Sequence, residues 1–351
     1  DLVVLLSSES NAAGTTIVLK LRDVDEDNGV DDFTEEWVLR RIIKKYSDFV
    51  QYPVQLQITR TEHERDEEGK IVEGGEETQV TSWETVNSMK AIWKRDPAEV
   101  SDEEFNEFYK HITHDWTDPF ERITFKAEGM FEYRALLFVP ERSPYDLFYR
   151  DAKWGLQLFV KNVQIMDKCS DLLPDWLRFM KGVVDSPDLS LNVSREILQN
   201  DRRVRAIRKR VTKKVVEALK KIQGDDTQRY KTFWNAFGSL IKECVTDRDL
   251  GGDKVHDLLW FASSNEGDEL TSLKDYVSRM KADQDAIYYI TGDSVAAVEN
   301  SPHLEVFADK GYEVLYLTDA IDEIMVGHLS EYDGKPLKSV GKGEVELGSD
   351  E

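Results

Sequence analysis

The sequence predicts a mixed α/β chain divided into more than one domain, and three observations carry that expectation. At 351 residues the chain exceeds one ordinary domain. Its first half intersperses alternating strand-like runs with amphipathic helical ones. Its last stretch, "AIYYITGDSVAAVENSPHLEVFADKGYEVLYLTDAIDEIMVGHL" (286–329), runs strand, helices, strand, helix. Short apolar strands joined by helical crossovers imply a small parallel α/β unit.

Taken in order, "GTTIVLKLRD" (14–23) alternates and reads as a strand. "FTEEWVLRRIIKKYSDFV" (33–50) reads as an amphipathic helix with Trp37, Ile42 and Phe49 among its apolar positions. "YPVQLQI" (52–58) is a second strand. Residues 61–79 carry eight acidic side chains and three glycines, with Ile71 and Val72 the apolar ones. Such a segment buries too little to order itself and is expected to be a linker. "SDEEFNEFYKHI" (101–112) opens with a capping box, Ser101 to Glu104. "RITFKAEGMFEYRALLFVP" (122–140) reads as a hairpin turning at Glu128-Gly129, and "LQLFVKNVQIM" (156–166) as a strand or a pair of strands. "LLPDWLRFMKGVV" (172–184) is expected to be a helix with Pro174 near its start. A long helix follows, with Val204, Ile207, Val211, Val215, Leu219 and Ile222 at spacings of three and four, broken by Gly224-Asp225-Asp226. Residues 227–281 look all-helical, with Tyr230, Phe233, Phe237, Leu240, Ile241 and Cys244 on one face. The last ten residues read as a frayed tail.

Composition narrows the function classes. Hydrophobic residues make up 40 % of the chain, including 8 Trp, 15 Phe and 13 Tyr, enough for real cores. The formal net charge is −23, which on average repels nucleic acid and anionic membranes. The two cysteines, Cys169 and Cys244, form no CxxC, so a zinc site or disulfide framework is not expected and a reducing compartment, the cytoplasm, is. The apolar run Leu2–Leu6 lacks a basic flank and makes a poor signal peptide, and no run approaches a membrane span. A chain that opens on Asp rather than Met suggests a fragment.

Several motifs have ordinary structural explanations. "TGDS" (291–294) has one glycine and suits any strand-to-helix turn. His111 and His114 stand three apart without HExxH, so surface or capping roles are favoured over metal binding. The helix 202–221 carries ten Arg or Lys against one Glu. Nucleic-acid binding is an alternative reading of it; a solvated basic face is the plainer one. Trp116, in "HDWTDP", is either an exposed contact residue for a partner or a lid buried on a core.

The segment "SLNVSREILQND" (190–201) is less ordinary. Ser194 can cap a helix, yet Arg195 follows it directly, and a cation there faces the positive end of the helix dipole. Free N–H groups together with a guanidinium suit a phosphate; the plainer alternative is an arginine that bends out to pair with a surface acid. Asn192 and Gln199 could add polar contacts.

"LLPDWLRFMKGVVDSPDLSLNVSREILQ" (172–199) closely resembles the signature segment in the middle domain of heat-shock protein 90 chaperones, whose bacterial form is high-temperature protein G. The resemblance continues, in family order, through "IIKKYSDFVQYP" (42–53), "EFYKHITHDWTDP" (107–119), "SPYDLF" (143–148), "LTSLKDYVSRMKADQDAIYYITGDS" (270–294) and "EVLYLTDAIDEIM" (313–325). It implies an ATP-driven homodimeric chaperone. Residues 1–59 would be the last strands and helix of the N-terminal nucleotide domain and 60–80 an acidic linker. Residues 81–223 would be a large middle subdomain, 224–283 a helical connector, 284–341 a small α/β subdomain and 342–351 a tail. The resemblance implies that Arg195 reaches the ATP γ-phosphate, that Gln199 belongs to the same loop and that Asn192 shapes it. ATP and Mg²⁺ would be held by the N-terminal domain, whose ATP-binding motifs would precede residue 1, and a dimerising C-terminal region would follow residue 351. The chain departs from the family pattern at Gln164, where relatives often carry an aromatic. Partners implied are the protein's own N-terminal ATPase domain and non-native clients; Trp116, from its loop context, is the expected client contact, and no nucleic acid and no membrane are expected.

Overall fold

A computed structural model describes residues 2–3, 17–21, 24, 31–63, 77–129, 131–149, 151–189, 201–247, 253–265 and 270–341. The chain divides into two compact units, residues 1–91 with 161–164, and residues 92–160 with 165–351.

In the first unit a short strand β1 (Leu2–Val3) pairs antiparallel with β2 (Val18–Leu19), the described strand within 14–23. Helix α1 (Glu36–Tyr46) stops short of the expected residue 50. It buries Val38, while Trp37 is exposed under the Arg41 guanidinium, 4.9 Å from the ring centroid. Strand β3 (Gln55–His63) pairs with β4 (Glu77–Thr85) from Gln55↔Thr85 to His63↔Glu77. Both ends of the acidic segment expected to be a linker are therefore strand. Cross-strand backbone bonds ask nothing of side-chain hydrophobicity, so composition alone does not reveal them. Buried Asn87 ties this unit together: its Oδ1 accepts from Val54 N at 2.8 Å and its amide donates to Val50 O and Tyr52 O.

The second unit opens with α2 (Asp102–Thr113), whose capping box at Ser101 and Glu104 is formed as the sequence predicts. His114 closes this helix in the left-handed region, its N–H donating to Lys110 O, so the His111/His114 pair lies at a helix end. Strands β5 (Glu121–Ala127) and β6 (Tyr133–Val139) form the expected hairpin. The 156–166 region is a pair of strands, β7 (Leu156–Val160) and β8 (Val163–Cys169), joined at Lys161 and Asn162, both at positive φ.

The expected helix over 172–184 does not form. Two single 3₁₀ turns, Ser170–Leu172 and Asp175–Leu177, lead into strand β9 (Lys181–Asp185). Pro174 is extended, and Val183 and Val184 are β-branched, which suits the middle of a sheet. The sheet order is β5-β6-β9-β7-β8, with β9 antiparallel to β6 and parallel to β7. Gly182 sits at φ +129, and a Cβ there would lie 2.2 Å from Leu136 O on the neighbouring strand.

Helix α3 (Arg202–Asp225) lays its apolar stripe on this sheet, burying Val204, Ile207, Val211, Val215, Leu219 and Ile222. Asp226 ends α3 and caps α4 (Thr227–Lys242), which buries Tyr230, Phe233, Phe237, Leu240 and Ile241. Beyond it the all-helical expectation fails. After the short α5 (Asp253–His256) come β10 (Trp260–Ser263) and β11 (Leu270–Ser272), then α6 (Leu273–Arg279). Short apolar runs have no period that separates strand from helix; here pairing with a distant strand decides. The remaining elements are β12 (Ile287–Thr291), α7 (Val295–Glu299), α8 (Glu305–Lys310), β13 (Val314–Leu317), α9 (Asp322–His328), β14 (Glu331–Tyr332) and β15 (Lys335–Ser339). They form one sheet, β11-β10-β13-β12-β15-β14. Its centre, β13-β12-β15, is parallel as expected, but its flanks are antiparallel, so the small unit is a mixed sheet. "TGDS" is a turn in which Ser294 caps the five-residue α7.

Because Gly182 meets backbone rather than a movable side chain, Gly182→Ala is expected to destabilise the protein by on the order of 3 kcal/mol or more. Urea unfolding checks this, and a change within experimental error would contradict it.

Candidate functional site

Residues 190–200, which carry Asn192, Arg195 and Gln199, lie outside the described residues, as does the expected helix start at Ser194. What the structure describes is the frame that holds both ends of that segment. On the incoming side β9 ends at Asp185. Ser186 then donates its N–H to Phe159 O at 3.0 Å and its hydroxyl to Glu132 O at 2.9 Å. Asp188 accepts the Glu132 N–H at 2.7 Å, and Leu189 is buried in the core. These bonds fasten residues 186–189 to β7 and to the start of β6, the two strands that flank β9 in the sheet.

On the outgoing side Asp201 caps α3, accepting the Arg203 N–H at 2.7 Å. The Arg203 guanidinium also pairs with the Asp201 carboxylate, its Nη2 2.8 Å from Oδ2, and its Nη1 donates to Asp188 O at 2.5 Å. One side chain thus joins the two ends of the segment. The Arg203 hydrogen bond is the main cause that lowers the Asp201 carboxyl below its ordinary value of 3.8, against a smaller opposing effect of burial.

The floor beside Asp185 is charged. Asp185 is 2 % exposed; its Oδ2 accepts from Trp93 Nε1 at 3.0 Å and lies 3.3 Å from Lys94 Nζ. Lys126, Arg134 and Asp185 stand in register across β5, β6 and β9. Lys94, Lys126 and Arg134, with Asp185 and Glu132, line a cavity of about 190 Å³ next to Pro187. These three cations stand among carboxylates, Lys94 paired with Asp185 and Lys126 with Glu128, so the incoming end of the segment lies beside a charge-matched cluster. Sequence spacing did not suggest them, because they come from three separate elements. Gln164, the departure from the family pattern, is buried.

Trp116 is placed elsewhere. It is 93 % exposed, so the buried-lid alternative is excluded. The backbone beneath it is held firmly: Asp115 accepts from Trp116 N at 2.7 Å, from Thr117 N and Oγ1, and from the Tyr109 hydroxyl at 3.0 Å. Burial works against the Asp115 charge, but these bonds together keep its carboxyl below the ordinary value. Tyr145, Phe148 and Tyr149 are also well exposed, at 87 %, 61 % and 54 %. In the sequence the closely spaced aromatics of "SPYDLFY" (143–149) are the signal for this patch. Among the described residues no group of three metal-binding side chains occurs, and no helix is long and apolar enough to cross a membrane.

Asp201→Ala removes the cap of α3 and frees Arg203, and is expected to cost about 1 kcal/mol in urea unfolding. The pH dependence has a definite sign. A carboxyl whose pKa is lowered on folding contributes stability above its unfolded value, and that contribution is lost as pH falls below 3.8 and through the folded value. Asp201→Asn, which can still cap, should flatten the stability profile in that acid range; an unaltered profile would show that the Arg203 pair adds nothing.

The chain matches the family described as Hsp90 protein over residues 60–351. It is 50 % identical over 345 residues to the chaperone protein HtpG of Mycobacterium tuberculosis H37Rv, a match covering 98 % of this chain and 53 % of that protein. The HtpG of Nocardia farcinica is 50 % identical over 339 residues, covering 96 % of this chain and 51 % of the relative. The chain therefore spans about half the length of the curated relatives it matches. Among solved structures, the middle domain of a Plasmodium falciparum heat shock protein superposes with a TM-score of 0.64 at 31 % identity, covering 72 % of this chain and all of that one. With a family match over most of its length and half its residues shared with these relatives, this chain belongs to the Hsp90 family.

Proposed function

We propose that this chain is the middle region of an ATP-driven molecular chaperone, and that it delivers Arg195 to the γ-phosphate of ATP held by the nucleotide domain of the same protein. The observation that carries the reading is the double anchoring of the segment bearing Arg195, fastened to the sheet through Ser186 and Asp188 and closed at its base by Arg203. Anchored ends reduce the conformational freedom that an arginine must lose when it engages a phosphate. The guanidinium supplies charge where negative charge develops on the transferring phosphoryl group, as arginine fingers do. Because the charge comes from one domain and the nucleotide from another, hydrolysis becomes conditional on their docking. Gln199 and Asn192 support the loop. Mg²⁺ accompanies ATP in the nucleotide domain, which supplies the metal's ligands.

On this reading residues 1–59 close the nucleotide domain, 81–223 form the large middle subdomain, 224–283 the connector and 284–341 the small subdomain. The parent protein is a cytoplasmic homodimer joined through a C-terminal domain. Its clients are non-native proteins. Exposed Trp116 is their contact residue, since a large rigid side chain buries much area at little entropic cost.

Two measurements test these roles. In the full-length protein Arg195→Ala should raise the hydrolytic barrier by about 3 kcal/mol or more, and an unchanged kcat would refute the assignment; the present chain alone should show no ATP turnover. Trp116→Ala should leave thermal unfolding unaltered and weaken capture of an unfolded client by about 1–2 kcal/mol. Equal affinity in a client titration would remove Trp116 from the contact surface.

A further inference from the structure

Capping α3 does not require the side chain of Arg203. The Asp201 carboxylate receives the Arg203 backbone N–H, and that bond alone completes the cap. A cation in the first turn of a helix also faces the positive end of the dipole, so helix stability does not call for one. The guanidinium makes a second set of bonds. Its Nε stands 3.1 and 3.2 Å from the two Asp201 carboxylate oxygens and its Nη2 2.8 Å from Oδ2, which engages one edge of the fork. Its Nη1 donates in the other direction, to the carbonyl of Asp188, 15 residues back along the chain. The Asp188 carboxylate in turn receives the Glu132 N–H, just ahead of β6. A line of hydrogen bonds therefore crosses the neck of the Arg195 segment, from Glu132 through Asp188 and Arg203 to Asp201. Packing acts on either side of it, since Leu189 and Val204 are 4 % and 1 % exposed. The Arg203 side chain, 41 % exposed, contributes to the neck through these bonds rather than through burial.

We propose that Arg203 is a positioning residue for ATP hydrolysis that acts through Arg195. By holding Asp188 and Asp201 together it fixes the base from which Arg195 reaches the γ-phosphate. The inference rests on the role proposed for Arg195 above. Arg203 itself touches no nucleotide, and ATP is held by another domain, so its loss lowers kcat and leaves KM for ATP in place. The chemistry is sensitive to such a fault, because misplacing an oriented group by about 1 Å costs on the order of 100-fold in rate. The fork is essential to the bridge. A lysine is a point charge that can meet the Asp201 carboxylate or the Asp188 carbonyl, but it has no planar set of donors to serve both.

The test uses the full-length protein and single-turnover hydrolysis of radiolabelled ATP alongside steady-state kinetics. Arg203→Ala and Arg203→Lys should each lower kcat by at least about fivefold, with KM for ATP within about twofold of the parent and the urea midpoint little changed. Arg202→Ala removes the same charge from the exposed neighbouring position and should keep the parent kcat. In an Arg195→Ala background, Arg203→Ala should add no further loss, as expected of two residues that act as one unit. Parent kcat in Arg203→Ala or Arg203→Lys beside a slow Arg195→Ala would overturn the role of Arg203 alone. So would an equal loss in Arg202→Ala, or an Arg203→Ala loss that persists undiminished without Arg195. Parent kcat in Arg195→Ala would overturn the Arg195 reading first, and the role of Arg203 with it.

Discussion

One apolar core constrains the larger unit. It runs without interruption from the inner face of the five-stranded sheet, through the stripes of α3 and α4, to Trp260, Leu315 and Leu317 of the second sheet. Helix α3 has its apolar stripe buried in this core, so its axis and rotation are set by packing. Its N-terminus is then fixed in space, and with it Asp201, Arg203 and the outgoing end of the segment that bears Arg195. The incoming end is fixed by β9 in the same way. A close-packed interior transmits position with little slack.

Polar contacts finish what packing begins. Lys242, 4 % exposed, ends α4 between Asp319 and Asp322, joining the helical layer to the second sheet. Burial raises the carboxyl pKa of Asp322 in spite of the Lys242 charge beside it. A buried pair of this kind is a weak source of net stability and a strong source of specificity, because either partner alone would be left charged and dry. Near the Arg195 segment the same logic operates on a smaller scale. Arg203 gives three of its nitrogens to Asp201 and Asp188. The guanidinium fork can serve a carboxylate and a carbonyl together, where a lysine would offer a point charge.

Much of this was legible in the residues. The Ser101–Glu104 box, the β5–β6 hairpin, the α3 stripe and its stop at Asp226 are local signals, and each formed where its pattern placed it. Family membership was legible too, carried by long motifs. The misread segments share a cause. In 172–184 and 260–272, apolar residues close in sequence satisfy helix and strand equally well, and the outcome depends on partners far along the chain: β6 and β7 for β9, β13 for β10. At 61–63 and 77–79 the paired backbone is invisible to composition. Trp116 could be read as contact or lid until its exposure was known.

By itself, then, the sequence determined the mixed α/β class, the helix stripes and caps, the acidic surface and the family, because these depend on residues within a few positions of one another or on motif identity. Only the tertiary structure decided which apolar runs became strands, that the second sheet is mixed, and that Arg203 closes the base of the Arg195 segment. It alone gathered Lys94, Lys126 and Arg134 beside Asp185. The physical reason is the same throughout: strand pairing and charge clustering are long-range, and their energies appear only once the chain has brought distant residues together.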